Sequence, residues 1–102
     1  MTAPGVVIVG GGIIGASVAF HLAERGFTDV TVLERDRIGE GSTARATGGI
    51  RQQFTSRVNA AIVHRSIGFW NDFEARTGAP FDFRRHGYLF LLTSGEQLAT
   101  FQ

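Results

Sequence analysis

The apolar positions along the chain fall into runs of different period. Val6-Val7-Ile8-Val9 is a continuous β-branched run, the pattern of a parallel strand that needs cover on both faces. It stops at Gly10. A largely apolar stretch from Ile13 to Arg25 predicts a helix, with Gly26 as its stop. Val30-Thr31-Val32-Leu33 predicts a second strand. From Arg35 to Arg51 small hydroxyls, glycines and arginines alternate with almost no core-forming side chains. Helical spacing then returns. Ser56 stands as N-cap, Val58, Ile62, Ile67, Trp70 and Phe73 form the apolar stripe, and Arg65, Asn71, Asp72, Glu74 and Arg76 are interleaved with it. Gly78 ends this long helix and Pro80 prevents its return. Phe81-Asp82-Phe83 alternates with period two, and Tyr88-Leu89-Phe90-Leu91-Leu92 is a further strand candidate, with Arg84 to Gly87 as the turn. Ser94-Gly95-Glu96-Gln97 has the S-x-x-Q form of a capping box and announces a last helix.

These elements predict an α/β chain: a strand–helix–strand unit over 1–51, a long helix over 52–79, and the start of a second, mixed sheet over 80–102. A length of 102 residues allows one domain at most. Two strands alone do not make a stable sheet, and the chain stops inside a helix it has just begun. The expectation is the N-terminal portion of a larger protein, or a small protein whose missing strands come from a partner chain.

Chemistry enters at the first strand's end. Gly10, Gly12 and Gly15 fit G-x-G-x-x-G. Gly10 permits the tight turn, Gly12 lets a pyrophosphate approach bare backbone, and Gly15 lets the following helix pack closely on the strand. Ala19 continues the small face one turn on. The helix N-terminus directs unpaired N–H groups and the positive dipole end at the phosphates. Glu34 closes the second strand about 20 residues past the last glycine, where an acidic side chain accepts hydrogen bonds from an adenosine ribose. Strand, glycine loop, helix, strand and acid in this order predict a Rossmann-type dinucleotide site rather than a bare glycine-rich turn.

Composition narrows the remainder. The chain is 43% hydrophobic and 19% charged, as globular domains are. A net charge of +1 argues against nucleic acid or an acidic membrane surface as partner. All ten basic residues are Arg. The absence of Cys removes disulfides, a thiolate nucleophile and cysteine metal ligands, and fits a reducing compartment such as the cytoplasm. Met1 to Gly5 lack the basic start of a signal peptide. The apolar run over residues 6–20 is too short and too glycine-broken for a transmembrane span. His64 and His21 read as surface or core side chains rather than as acid–base catalysts. No metal ligand set stands out.

The segment from Arg35 to Arg51 can donate many hydrogen bonds while keeping backbone close to a ligand. That suits a phosphate and ribitol surface, and equally a surface loop followed by a short helix. Three segments carry a resemblance: Val6 to Gly15, Leu33-Glu34-Arg35, and Gly41-Ser42-Thr43 through Thr47-Gly48-Gly49-Ile50-Arg51. Through them the chain resembles, over essentially its whole length, the N-terminal part of the D-amino-acid-oxidase-like family of FAD-dependent oxidoreductases. Within that family it is most similar to the glycine oxidase and sarcosine oxidase β-subunit branch.

The resemblance implies FAD as cofactor. Gly10, Gly12, Ile13, Ile14 and Gly15 would line the pyrophosphate. Glu34 would take the adenosine ribose hydroxyls, and Arg35 would cover the adenine side. Ser42 and Thr43 would sit on the pyrophosphate, with Thr47, Gly48 and Gly49 beside the flavin end. Arg51 is a candidate for contact with the flavin or a substrate carboxylate, or a solvated arginine. Tyr88 would face a ligand or belong to the sheet. The implied activity of the parent protein is oxidation of an amine or N-alkyl amino acid to an imine, with later parts of the chain or other subunits completing the pocket. Alternatives are a flavin dehydrogenase of a hydroxy acid or polyol phosphate, an NAD-dependent enzyme, and a non-catalytic nucleotide-binding or assembly module.

Overall fold

The computed structural model describes residues 5–101, so the N-terminal reading that concerns Met1 to Pro4 lies outside the described residues. Two units are distinguished, one ending at Ile50 and one beginning at Arg51.

The first unit is the expected strand–helix–strand. Strand β1 (Val6–Val9) and strand β2 (Val30–Leu33) pair in parallel, Val6 opposite Val30 and Val9 opposite Leu33. Helix α1 (Ile13–Glu24) is the crossover between them. Its C-terminus is a Schellman motif. The Phe27 N–H donates to the Leu22 carbonyl at 3.0 Å, the Gly26 N–H donates to the Ala23 carbonyl at 2.9 Å, and Gly26 takes φ +87°. The stop at Gly26 is therefore a left-handed turn that a side chain would strain. A four-residue helix, α2 (Ser42–Arg45), follows in the loop after β2.

Burial of the strands departs from the expectation. In β1 only Val6 and Ile8 are partly covered, while Val7 and Val9 are exposed at 59% and 85%. Alternate side chains of a strand point to opposite faces, and among the described residues α1 packs against the two-stranded sheet while no other element does to a comparable extent. The β-branched run does form the strand, with one face partly covered.

In the second unit Ser56 caps helix α3 (Arg57–Asn71), its Oγ accepting from the Asn59 N–H at 3.4 Å. The single long helix of the sequence reading is broken. At Asp72 the backbone leaves helical geometry (φ −102°, ψ 10°), and a separate short helix α4 (Phe73–Thr77) starts there. Gly78, at φ +71°, terminates it as expected. The break packs aromatic rings around the corner: Trp70 stacks on Phe73 at 5.5 Å, and Phe81 lies 4.8 Å from Phe73 and 5.1 Å from Trp70. Ile67 is the buried hydrophobic side chain among the described residues, while Val58 and Ile62 of the same stripe are exposed.

The second sheet does not form among the described residues. The 81–83 and 88–92 segments are irregular, and the Phe83 N–H bonds locally to the Phe81 carbonyl at 3.0 Å. A strand exists only by pairing, and no partner strand lies beside them among these residues. The last helix, α5 (Gly95–Phe101), does form. Half of its capping box is as expected, with Ser94 Oγ accepting from the Gln97 N–H at 3.2 Å. The return bond is shifted one residue: Gln97 Oε1 accepts from the Thr93 N–H at 2.8 Å.

Candidate functional site

β1 ends at a backbone turn that glycine makes possible. Gly10 takes φ +107°, a region that L side chains rarely adopt, and its N–H donates to the Leu33 carbonyl at 2.7 Å, extending the sheet by one bond. Gly15, buried in α1, lies against this turn. A Cβ there would fall on the Gly10 carbonyl oxygen and 3.1 Å from its carbon. The helix can approach the strand this closely only because that carbon is missing.

Gly12 is the N-cap of α1 and has no side chain with which to cap it. The Ala16 N–H closes the first turn on the Gly12 carbonyl at 2.9 Å. The N–H groups of Ile13, Ile14 and Gly15 precede that bond and have no acceptor within the helix. One of them is taken up from a distance: Ile13 N–H donates to Thr43 Oγ1 at 3.0 Å. A Cβ built on Gly12 would meet, within 4 Å, only that same hydroxyl oxygen. The loop thus offers bare backbone, N–H donors and the positive end of a helix to an anion.

Glu34, half-buried at the end of β2, ties the loop from the other side. Its Oε2 accepts from the Gly11 N–H at 2.7 Å and its Oε1 from the Asp36 N–H at 2.9 Å. The Asp36 and Gly11 amides hold its carboxyl below the ordinary value of 4.5, with Arg35 adding to the effect and partial desolvation opposing it. Glu34 is therefore an ionised, acceptor-only group at neutral pH. Each oxygen uses one lone pair on backbone and keeps capacity for a ribose hydroxyl. Beyond it the chain doubles back. Gly39 and Gly41 both take φ +80°, and the Gly39 N–H donates to the Gly11 carbonyl at 2.9 Å.

Gly10, Gly12, Ile13, Ile14, Gly15, Glu34 and Thr43 are thus brought to one place. Arg35 points its guanidinium at Asp36, Nε to Oδ2 3.3 Å, and is largely exposed. Ser42 opens α2 beside Thr43. Thr47, Gly48 and Gly49 form the exposed segment after it, with Gly48 at φ +73°. Arg51 belongs to the second unit, where its guanidinium lies 4.5 Å from the Phe54 ring centroid. His21 bonds Glu24 at 2.8 Å, and His64 bonds Gln52 at 3.3 Å. The sequence reading overlooked Gly11, Asp36 and Gly39. Gly11 is buried, and both its N–H and its carbonyl are engaged, by Glu34 and by Gly39. The available signal was the second glycine pair, Gly39 and Gly41, at the point where the loop must turn.

Residues 5–102 match the family model described as "DAO: FAD dependent oxidoreductase". The chain belongs to this family. It is 36% identical over 97 residues to mitochondrial dimethylglycine dehydrogenase of Rattus norvegicus, covering 94% of this chain and 11% of that protein. It is 37% identical over 87 residues to sarcosine oxidase subunit beta of Arthrobacter sp, covering 84% of this chain and 22% of that protein. In structure it matches L-proline dehydrogenase from P. horikoshii with a TM-score of 0.83 at 44% identity, over 95% of this chain and 25% of that one. The chain thus spans between about a tenth and a quarter of the length of these relatives. The fold is a mixed α/β FAD-binding one, and the family is that of FAD-dependent oxidoreductases, as the residues at the glycine loop, Glu34 and the Ser42–Arg51 segment implied.

The geometry fits FAD. A diphosphate needs bare backbone and several N–H donors at a helix N-terminus, and Gly10 to Gly15 supply both. A ribose needs an ionised acceptor at the adjoining strand end, and Glu34 is one.

Proposed function

We propose that the protein oxidises a secondary or tertiary amine, of the N-alkyl amino acid class, and that this chain is its FAD-binding portion. The carrying observation is the convergence of the glycine loop, the Glu34 carboxylate and the Thr43 hydroxyl at the start of α1. The substrate class is supported by the relatives' names: dimethylglycine, sarcosine and L-proline all carry an alkylated α-amino nitrogen.

FAD, when bound, would supply the two-electron oxidation of the substrate C–N bond, the amine becoming an imine, or an iminium where the nitrogen is tertiary, that water hydrolyses. The residues of this chain bind and orient. Gly10 to Gly15 line the diphosphate, the Ile14 and Gly15 amides donating to it with Ser42 and Thr43 while the Ile13 amide is held by Thr43. Glu34 accepts from the adenosine ribose, and Arg35 covers the adenine. The backbone of Thr47, Gly48 and Gly49 runs beside the flavin end. Arg51 orients a substrate carboxylate or contacts the flavin. The rest of the pocket is contributed by further chain or by other subunits. A reducing compartment such as the cytoplasm suits a chain without Cys.

The test is anaerobic reduction of the flavin in the full-length protein by a panel of sarcosine, dimethylglycine, L-proline, an α-hydroxy acid and a polyol phosphate. Reduction by one or more of the amines, and by neither alcohol, is expected. Reduction by the hydroxy acid or the polyol phosphate alone would replace the amine reading.

A further inference from the structure

Helix α1 begins at a residue that cannot cap it. Gly12 stands at the N-cap, where Ser, Thr, Asp or Asn ordinarily accepts a first-turn N–H through the side chain. Asn or Ser there would put atoms where the loop must stay bare. The missing acceptor comes instead from a residue 30 positions away in sequence. Thr43 Oγ1, in α2, accepts the Ile13 N–H at 3.0 Å.

The chemistry of a hydroxyl makes this contact directional. With a lone pair of Oγ1 occupied by the Ile13 N–H, the hydroxyl hydrogen has to point away from that amide. It is left to donate, and the neighbouring N–H groups of Ile14 and Gly15 are donors as well. Three donors in one place make a surface for anionic oxygen, and the Ile13 amide is held still in their midst. The loop carrying Thr43 is itself fastened to the glycine turn by the bond from the Gly39 N–H to the Gly11 carbonyl at 2.9 Å. Cap and loop therefore form one closed connection.

We infer that Thr43 is the remote N-cap of α1 and acts as a positioning residue, holding the first-turn amides in the orientation that a diphosphate requires before the ligand arrives. The inference rests on the dinucleotide reading for its ligand, and on the Ile13 contact alone for its structural half. Two consequences separate it from a general packing role. Serine carries the same oxygen and hydrogen, so Thr43→Ser keeps the cap. Valine matches the shape of threonine without the hydroxyl, so Thr43→Val removes the cap with little change in volume. A ligand with a diphosphate also senses the cap, whereas a nucleoside held only by the ribose acceptor does not.

The experiment compares full-length wild type, Thr43→Val and Thr43→Ser, freed of flavin, by amide hydrogen exchange at Ile13 and by titration with ADP and with adenosine. In Thr43→Val the Ile13 amide exchanges faster, ADP affinity falls about three- to tenfold as for loss of one neutral hydrogen bond that orders the site, and adenosine affinity is unchanged. Thr43→Ser matches wild type in all three. Unaltered Ile13 exchange in Thr43→Val, an unaltered ADP affinity, or equal losses for ADP and adenosine would each overturn the positioning role. Failure of wild type to bind ADP, with the Ile13 amide still protected through Thr43, would instead overturn the dinucleotide reading and with it the ligand half of the inference.

Discussion

Two glycines of one motif make separable demands. At Gly15 the obstacle to a side chain is fixed backbone, the Gly10 carbonyl. Gly15→Ala is expected to push α1 off β1 and to cost about 1–3 kcal/mol by overpacking, with or without ligand, read as a lowered denaturation midpoint. At Gly12 a Cβ meets only the Thr43 hydroxyl, at 3.0 Å, which can give way. Gly12→Val is expected to keep the fold and lose the cofactor. The G-x-G-x-x-G spacing marks both positions, and the pattern's usual roles anticipated this division. It did not show that the atom opposing Gly15 is the Gly10 carbonyl. Glu34 carries a third expectation. Its carboxyl is held below 4.5 by the Asp36 and Gly11 amides, so its contribution is complete above that value and is lost as pH falls through the lowered one. Exchange at the Gly11 amide, corrected for intrinsic rate, is therefore expected to be pH-independent from neutrality down to about the ordinary carboxylate range and to rise below it. In Glu34→Gln this acid step disappears, and FAD affinity falls about tenfold for loss of a charged acceptor. Persistence of the acid step in that variant would assign it to another group.

Among the elements, the sequence is most legible where a local rule acts alone. Gly26 and Gly78 stop their helices, Ser56 and Ser94 start theirs, and β1 and β2 fall within the expected residues. Ser56→Ala is expected to cost up to about 1 kcal/mol in a urea titration, at the lower end for caps because the bond is long and exposed. Legibility fails where an element depends on what lies beside it. The apolar stripe from Val58 to Phe73 runs at helical spacing without marking the break at Asp72, which lies where the Trp70, Phe73 and Phe81 rings pack together. The 88–92 run has strand composition, yet a strand needs a neighbour to receive its backbone bonds, and composition does not supply one. Thr43 shows the same limit within the site. Its place near the diphosphate was implied by resemblance, but its bond to Ile13 joins residues that no periodicity relates.

For the molecule as a whole, the apolar faces left uncovered set the behaviour of these 102 residues alone. Val9, Leu33, Leu89 and Leu91 are between 53% and 86% exposed, and unpaired strand edges associate readily. Expressed alone, these residues are expected to show weak amide protection and no oxidation of sarcosine, since they hold a nucleotide loop and, among the described residues, no base placed for catalysis. A cooperative thermal transition with turnover would contradict that. On the proposed function, residues 10–15, Glu34 and Thr43 cradle FAD. The most direct test of this is the flavin content, per protein, of the purified full-length wild type and of Gly12→Val. One FAD per chain is expected in the wild type and none in a folded Gly12→Val protein. Equal flavin in both, or a folded wild type that neither retains nor rebinds FAD, would contradict it.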